Sequence, residues 1–299
     1  MERKYMAEAG LNVYTSHKTL IPVENLQELE SIDKRKYHIY SILSYPQMYF
    51  SKEKTYTDND GISICLFSTN NGVETEYVLQ KMKIHDDLNH SNILFNTTYP
   101  YVSLEIEIND NAFMQLHPEF VVNPITIYAH DLFFSYSYQL VSKQEYEVLC
   151  IGQSYGKRGE RTAITRLSSH PTLQTILTDC QSKYSDKHIY LLLLEVTPLL
   201  NMTFDGISKK YTKSIEESDK HLEDVLQNLP EEQQIVNISE AALINYFKPP
   251  YNKNFIENFP NKSHKGYKQY FDLDYNCFSF EMDLEFNYCA PVQLYSSSN

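Results

Sequence analysis

The residues with the clearest potential for chemistry lie in two short segments of an acidic chain. The first segment, IGQSYGKRGERTAITRLSSH, follows an apolar run and contains four cations within ten positions: Lys157, Arg158, Arg161 and Arg166. The formal net charge of the whole chain is −13, so this cluster of cations is an exception to the acidic composition of the chain. Arginine binds phosphate oxygens through two parallel hydrogen bonds. The segment therefore indicates a site that faces a phosphate group.

The second segment, SEAALINYFKPPYN, contains a carboxylate on an apolar helical face. At helical spacing, Glu240 shares its face with three apolar residues: Leu243, Ile244 and Phe247. A carboxylate in that position is costly unless it is paired, protonated or bound to a metal. The alternative is a capping box, because Asn237 and Glu240 have the spacing at which the glutamate bonds back to the N-cap amide.

The order of the predicted elements connects these two segments. Strand-like runs ITIYAHDLFFSYSYQLV and YEVLCIG precede the cationic loop, and helical patterns with a buried strand, IYLLLLEV, follow it. The helix NISEAALINYF then stops at Pro249 and Pro250. This order, with the two segments quoted, resembles the GIY-YIG nuclease family over about residues 130–256. The Glu-bearing helix that closes on Pro-x-Tyr-Asn is the more specific part of the match.

The resemblance implies a fold, an activity and a set of site residues. The fold would be α+β, a small antiparallel three-stranded sheet flanked by helices, and the activity would be metal-dependent cleavage of DNA rather than RNA. Carried onto this chain, Glu240 would bind one divalent metal, Mg²⁺ or Mn²⁺, and Arg166 would steady the scissile phosphate. Asn252 would match a late asparagine of the family, near the glutamate. For Arg166 and Glu240 the alternatives are a surface helix arginine and a helix cap.

Two tyrosines of the family bear on the catalytic role of the first strand. Tyr136 and Tyr138 are the candidates for the first tyrosine, and Tyr138 is preferred because it lies 12 positions before Cys150, close to the family spacing. The second family tyrosine falls on Cys150, which has no phenol. This departure leaves open a catalytically weakened protein that binds nucleic acid or regulates a partner, and a buried structural thiol is the expected role of Cys150.

Further cations are candidates for nucleic-acid binding. His170 follows Arg166 by one helical turn and could approach phosphate, with an ordinary helix-end histidine as the alternative. Residues 248–270 contain five lysines against one glutamate, interleaved with aromatic side chains. Single-strand binders combine these two residue types. Three of these lysines are predicted contacts, unless the segment is only a solvated loop: Lys262, Lys265 and Lys268.

The remaining sequence predicts the organisation of the chain. Residues 1–125 contain β-branched and aromatic runs separated by polar turns, which is typical of a β-rich interaction or regulatory domain with a protein partner. Residues 126–260 form the predicted nuclease domain, and 261–299 a C-terminal strand extension. Five scattered cysteines and no long apolar run favour a cytoplasmic protein that does not enter a membrane. Restriction or anti-phage defence are settings that suit such a nuclease.

Overall fold

Helices and strands are mixed throughout the chain, so the fold is α+β as the sequence indicates. The structure, a computed structural model, describes residues 3–58, 60–70, 72–120, 122, 124–154, 163–204, 206–208 and 210–297.

The strands of the described residues form three sheets. In chain order they are β1 Glu8–Pro22, β2 Ile39–Pro46, β3 Met48–Phe50, β4 Tyr56–Asp58, β5 Gly61–Asn70, β6 Val73–Met82, β7 Ile93–Asn96, β8 Ser103–Ile108, β9 Ile125–Tyr128, β10 Gln144–Gln153, β11 Lys187–Thr203, β12 Cys277–Glu281 and β13 Val292–Tyr295.

The α-helices connect these strands or pack on their faces. They are α1 Leu26–Ile32, α2 Asn111–Leu116, α3 Ala129–Leu140, α4 Ala163–Leu167, α5 Pro171–Lys183, α6 Ile215–Gln227, α7 Glu232–Phe247 and α8 Lys268–Asp272. Short 3₁₀ turns occupy Val23–Asn25, His90–Asn92, Pro118–Phe120 and Lys265–Tyr267.

The largest sheet in the described part of the chain has the strand order β12-β1-β11-β2-β10-β13. Its four inner strands pair antiparallel, whereas β12 and β13 join the two edges in parallel with β1 and β10. Strands from each of the three predicted domains meet in this sheet.

Burial on both faces explains the apolar runs of the central strands. Ile189–Leu194 of β11 and Ile39–Tyr45 of β2 are buried along their whole length, as predicted for the IYLLLLEV run. One face of the sheet packs against α7, through side chains such as Ile238 and Ala241. The other face packs against α4 and α5, through Ile164 and Ile176. The end of β10 is thus enclosed between helices.

The segment between β2 and β10 forms the other two sheets. One sheet has the order β3-β5-β4 with β6 also paired to β5, and the other is an antiparallel set of three, β7-β8-β9. The β-rich character predicted for residues 1–125 is therefore present, but β1 and β2 belong to the central sheet.

The prediction of strands throughout ITIYAHDLFFSYSYQLV was wrong for most of that run. After β9, residues Ala129–Leu140 form α3, because the buried side chains Ala129, Leu132, Phe133 and Ser137 recur at helical spacing. The aromatic and β-branched content of the run suggested strands, but the burial of one helical face decided the structure. No helix in the described residues is long and apolar enough to cross a membrane.

Leu192 tests the importance of the two-sided burial of β11. The side chain is fully buried, so Leu192→Ala should lower the free energy of unfolding by about 2–5 kcal/mol through reduced burial and a cavity. Leu199→Ala on the same strand is the control, because Leu199 is 52% exposed. The free energy of unfolding of Leu199→Ala should stay within about 0.5 kcal/mol of that of wild type. Equal losses in chemical denaturation would contradict the placement of the core.

Candidate active site at the end of strand β10

Glu240 lies in the middle of α7 and is not a helix cap. The helix begins at Glu232 with Glu231 as its N-cap, so the capping-box alternative for Asn237 and Glu240 was wrong. The carboxylate instead accepts hydrogen bonds from Gln153 at the end of β10, from the backbone N–H at 3.1 Å and from the side-chain Nε2 at 2.7 Å. Glu240 is thus held against the strand by a residue that no sequence pattern singled out.

The position of Glu240 perturbs its ionisation. Burial raises the pKa of this carboxyl, while the hydrogen bonds from Gln153 and the charge of Arg166 only partly offset that effect. A carboxylate in this state gains from a nearby cation. Its environment therefore favours binding of a positive ion beside the carboxylate.

Tyr40 is the tyrosine that the structure brings to this site. It lies in β2 directly opposite Gly152 of β10, and a Cβ atom at Gly152 would clash with the Tyr40 hydroxyl. Because Gly152 has no side chain, the Tyr40 ring fits against β10 at this position. Burial raises the pKa of Tyr40 to about 12, with the charges of Arg166, Cys150 and Glu240 acting on the phenol as well. At neutral pH the phenol keeps its proton and acts as a donor.

Tyr138, the tyrosine preferred from the sequence, does not occupy such a position. It lies on α3, not on a strand, and its side chain is 54% exposed beside Gln139. The alternative, Tyr136, lies on the same helix. The sequence signal for Tyr40 was the strand-like run KYHIYSIL, but Tyr40 precedes Cys150 by 110 positions, far outside the family spacing that favoured Tyr138.

His170 supports Tyr40 instead of standing free at a helix end. Its Nδ1 accepts a hydrogen bond from the backbone N–H of Leu173 and so caps α5. The proton of a neutral ring then lies on Nε2, which is 2.9 Å from the Tyr40 hydroxyl and donates to it. The hydroxyl proton of Tyr40 is left to point to another acceptor. Burial and the charge of Arg166 lower the pKa of His170, in agreement with a neutral ring.

Arg166 lies on α4 at the same end of the sheet, as the sequence suggested. Its charge acts on Tyr40, His170 and Glu240. In the described part of the chain no carboxylate forms an ion pair with Arg166. The guanidinium is thus placed near a carboxylate and a phenol and remains suited to bind an anion.

The Asn252 side chain hydrogen bonds to the backbone of β10. We therefore assign it a positioning role in place of the catalytic role that the sequence predicts. Its Oδ1 accepts from the Ile151 N–H at 2.8 Å, and its Nδ2 donates to the Ile151 carbonyl at 2.8 Å. The neighbouring Tyr251 N–H donates to the Leu149 carbonyl at 3.0 Å. Through these bonds the segment after α7 is attached along the edge of β10, and this attachment fixes the position of α7 relative to the site.

Cys150 lies under the site and is buried, as expected for a structural thiol. Only 4% of the residue is exposed, and it packs in the cluster that contains Tyr40 and Ile164. Burial raises the pKa of the thiol to about 12, with a further contribution from Glu240. Cys150 is therefore protonated and does not replace a phenol in donating to water or phosphate.

Apart from His170, which contacts Tyr40, the predicted nucleic-acid contacts divide into two groups. Lys157, Arg158 and Arg161 lie outside the residues that the structure describes. The others are exposed side chains on the segment after α7: Lys262, Lys265 and Lys268. Asn237 of α7 donates its amide to the Gly266 carbonyl at 3.0 Å, one helical turn before Glu240. This bond brings the lysine-bearing segment close to the site.

The buried ring of Tyr267 confirms the proximity of that segment to Glu240. Burial, and then the charge of Glu240, raise the pKa of the Tyr267 phenol. Lys265 and Lys268 flank this ring, and Lys268 pairs with Asp272.

The donor set around Glu240 fits a hard divalent cation. Gln153 uses one hydrogen bond on each carboxylate oxygen, which leaves lone pairs for a metal. Mg²⁺ binds proteins through one or two carboxylates and keeps several waters. Within the described residues, the histidine-containing clusters that could hold a metal do not include Glu240. Water would therefore supply most ligands of a magnesium ion at Glu240.

Comparison of the chain with models of protein families, with curated proteins and with solved structures gives no match.

The neutral state of His170 predicts a pH effect on stability. Because folding lowers its pKa below the ordinary value of 6.5, its contribution is complete above that value and disappears as pH falls through the folded pKa. Wild type should therefore lose more stability between about pH 7 and pH 5 than His170→Asn, in which asparagine retains the cap. Denaturant titrations at each pH measure the difference.

The control is His264→Asn, a change at an exposed histidine that should leave the pH dependence of wild type. Parallel stability curves for wild type and His170→Asn would contradict a neutral His170 in the folded protein.

Proposed function

We propose that the protein is a divalent-metal-dependent endonuclease of the GIY-YIG type that cleaves DNA phosphodiester bonds. The observation that carries the proposal is the convergence of Tyr40, Arg166 and Glu240 around Gly152 at one end of β10. These residues come from a strand and two helices that are far apart in the chain. A phenol, a guanidinium and a half-buried carboxylate at one place supply the groups that phosphodiester cleavage requires.

The arrangement of strands supports the family assignment. The family takes its name from Gly-Ile-Tyr and Tyr-Ile-Gly tripeptides. The corresponding tripeptides here are His38-Ile39-Tyr40, whose last two residues begin β2, and Cys150-Ile151-Gly152 of the adjacent antiparallel strand β10. With β11 they form an antiparallel set of three between α7 and the pair α4 and α5. The similarity then extends back to β2, and the segment between β2 and β10 is a large insertion.

Each side chain has a role that follows from its surroundings. Arg166 would bind the equatorial oxygens of the scissile phosphate, because its planar donors match them. Tyr40, whose oxygen accepts a hydrogen bond from His170, would donate its own hydrogen bond to a phosphate oxygen. Gln153 would keep Glu240 oriented. A Mg²⁺ or Mn²⁺ ion at Glu240 supplies Lewis acidity to the reaction.

The substrate class follows from the distribution of charge and from the resemblance. Lys262, Lys265 and Lys268 form an exposed basic segment next to the site in a chain that is otherwise acidic, which supports a polyanionic substrate. DNA is proposed before RNA on the resemblance. A role in restriction or anti-phage defence, and a protein partner bound by the N-terminal part, belong to the same proposal.

Cys150 supports a second function, that of a catalytically weakened protein that binds nucleic acid or regulates a partner. The thiol stands where the family has its second tyrosine, and it is buried and protonated. The site would then hold one phenol fewer than the family pattern. Tyr40 favours the enzyme, because its phenol remains available beside Arg166.

Glu240→Gln tests the enzymatic proposal. The glutamine oxygen can still accept from the Gln153 N–H, so the melting temperature should stay near that of wild type. Loss of the metal-binding carboxylate should reduce Mg²⁺-dependent plasmid nicking by about 10²-fold or more. The control is Glu231→Gln at the exposed N-cap of the same helix, which should nick as wild type does.

Two results would contradict the proposal in different ways. Equal nicking by Glu240→Gln and wild type would remove Glu240 from the chemistry. Wild type that binds DNA with the expected salt dependence but shows no Mg²⁺-dependent nicking would support the regulatory alternative.

The basic segment is tested by the salt dependence of DNA binding. Replacing Lys262, Lys265 and Lys268 with alanine should lower the slope of log K against log salt by roughly 0.7–0.9 for each phosphate that the variant no longer neutralises. The matched control replaces three exposed lysines of the β3–β6 region: Lys54, Lys81 and Lys83. Fluorescence anisotropy at several salt concentrations measures both slopes. Equal slopes for wild type and the first variant would exclude this segment from the binding surface.

A further inference from the structure

Two histidines and a glutamate meet at the opposite end of the central sheet. Glu24 lies in the 3₁₀ turn after β1, His130 in the first turn of α3, and His188 at the start of β11. On β11, His188 is six residues from Leu194, which pairs with Ile39 next to the candidate active site. At the usual rise per strand residue, about 20 Å separate this cluster from that site.

The spacing of the three side chains fits a shared metal ion. The Oε1 atom of Glu24 lies 3.2 Å from Nε2 of His188 and 3.7 Å from Nε2 of His130. Metal–ligand bonds of about 2.0–2.2 Å in a tetrahedral zinc site place ligand atoms roughly 3.3–3.5 Å from each other. Small side-chain adjustments would therefore suffice to bind an ion.

The hydrogen bonds of His188 direct its free nitrogen into the cluster. Gln47 donates its Nε2 to the Met48 carbonyl at 3.0 Å, which turns its Oε1 toward His188 Nδ1 at 2.9 Å. His188 therefore donates from Nδ1, and a neutral ring carries its lone pair on Nε2. A polar partner on the second nitrogen is the usual means of orienting a metal-binding histidine.

The Nε2 atom of His188 is buried and has no hydrogen-bond partner among the residues that the structure describes. It lies close to the Glu24 carboxylate but is not aligned for a hydrogen bond to it. A cation bound by both groups explains why His188 Nε2 and the Glu24 carboxylate lie close together without a hydrogen bond. Each ligand atom would then point to the ion and not to the other ligand.

The environment of His130 also matches a ligand. The residue is 5% exposed, and its ring lies 4.6 Å from that of His188. The ligand atoms of the two imidazoles and of Glu24 all lie within 4.8 Å of one another, so one ion can reach all three. Asp131 lies 3.4 Å from His130 Nε2 and offers a further oxygen.

We propose that Glu24, His130 and His188 bind a structural zinc ion, with Asp131 or water as the fourth ligand. Two imidazoles and a carboxylate suit zinc better than magnesium, which prefers oxygen ligands alone. The ion would join the turn after β1, the start of β11 and helix α3. Since α3 belongs to the segment between β2 and β10, zinc would hold that segment on the central sheet.

The experiment measures zinc binding and stability, and neither readout involves DNA cleavage. Purified protein is stripped with a chelator, reloaded with zinc alone, and assayed for zinc content by mass spectrometry and for melting temperature. Zinc at about a hundredfold excess over its Kd should raise the melting temperature by on the order of 5 °C. His188→Asn retains a donor toward Gln47 but lacks the ligand atom, so it should bind one zinc ion fewer and lose this rise.

Glu24→Gln is a second variant, because Glu24 is partly exposed and the change conserves shape. It should weaken zinc binding tenfold or more and retain the fold. His117→Asn is the control, since His117 belongs to the other candidate cluster, with His85 and Asp87, and this change should leave the zinc-dependent rise intact. The proposal fails if zinc does not stabilise wild type, if His188→Asn and Glu24→Gln respond as wild type does, or if His117→Asn abolishes the rise.

Discussion

The antiparallel pairing of β2 with β10 is the constraint on which the candidate active site depends. Its register places Tyr40 opposite Gly152, the position whose missing side chain accommodates the phenol. His170 and Arg166 then reach Tyr40 from the helical segment that follows β10, and Glu240 reaches the end of β10 from α7. A slip of one residue would turn Tyr40 to the other face of the sheet and separate these groups.

The charges of Glu240 and Arg166 are only partly compensated by their surroundings. Glu240 is held by Gln153 and acted on by Arg166, yet burial still raises its pKa. Arg166 has no carboxylate in direct ion pairing within the described chain. The site therefore presents a carboxylate suited to a cation and a guanidinium suited to an anion, and a phosphodiester with its metal satisfies both requirements.

The two ends of the central sheet differ in their ligand chemistry. The end near Glu240 offers a carboxylate, whereas the end near Glu24, His130 and His188 offers two imidazole nitrogens together with a carboxylate. Hard and borderline cations discriminate between such donor sets. The proposed zinc ion and the proposed magnesium ion would therefore bind the chain without competing for one site.

The sequence by itself determined the buried strands, the helix that bears Glu240 and the placement of Arg166, because apolar periodicity and residue chemistry are local properties. It did not identify Tyr40 or Gln153, and it assigned Tyr138 to a strand. It also could not separate a helix cap from an interior position for Glu240, since both have the same local spacing. Only the tertiary structure decided these points. The pairing of β2 with β10 places Tyr40 opposite Gly152, which is 112 positions away in the chain, and no local pattern records that pairing.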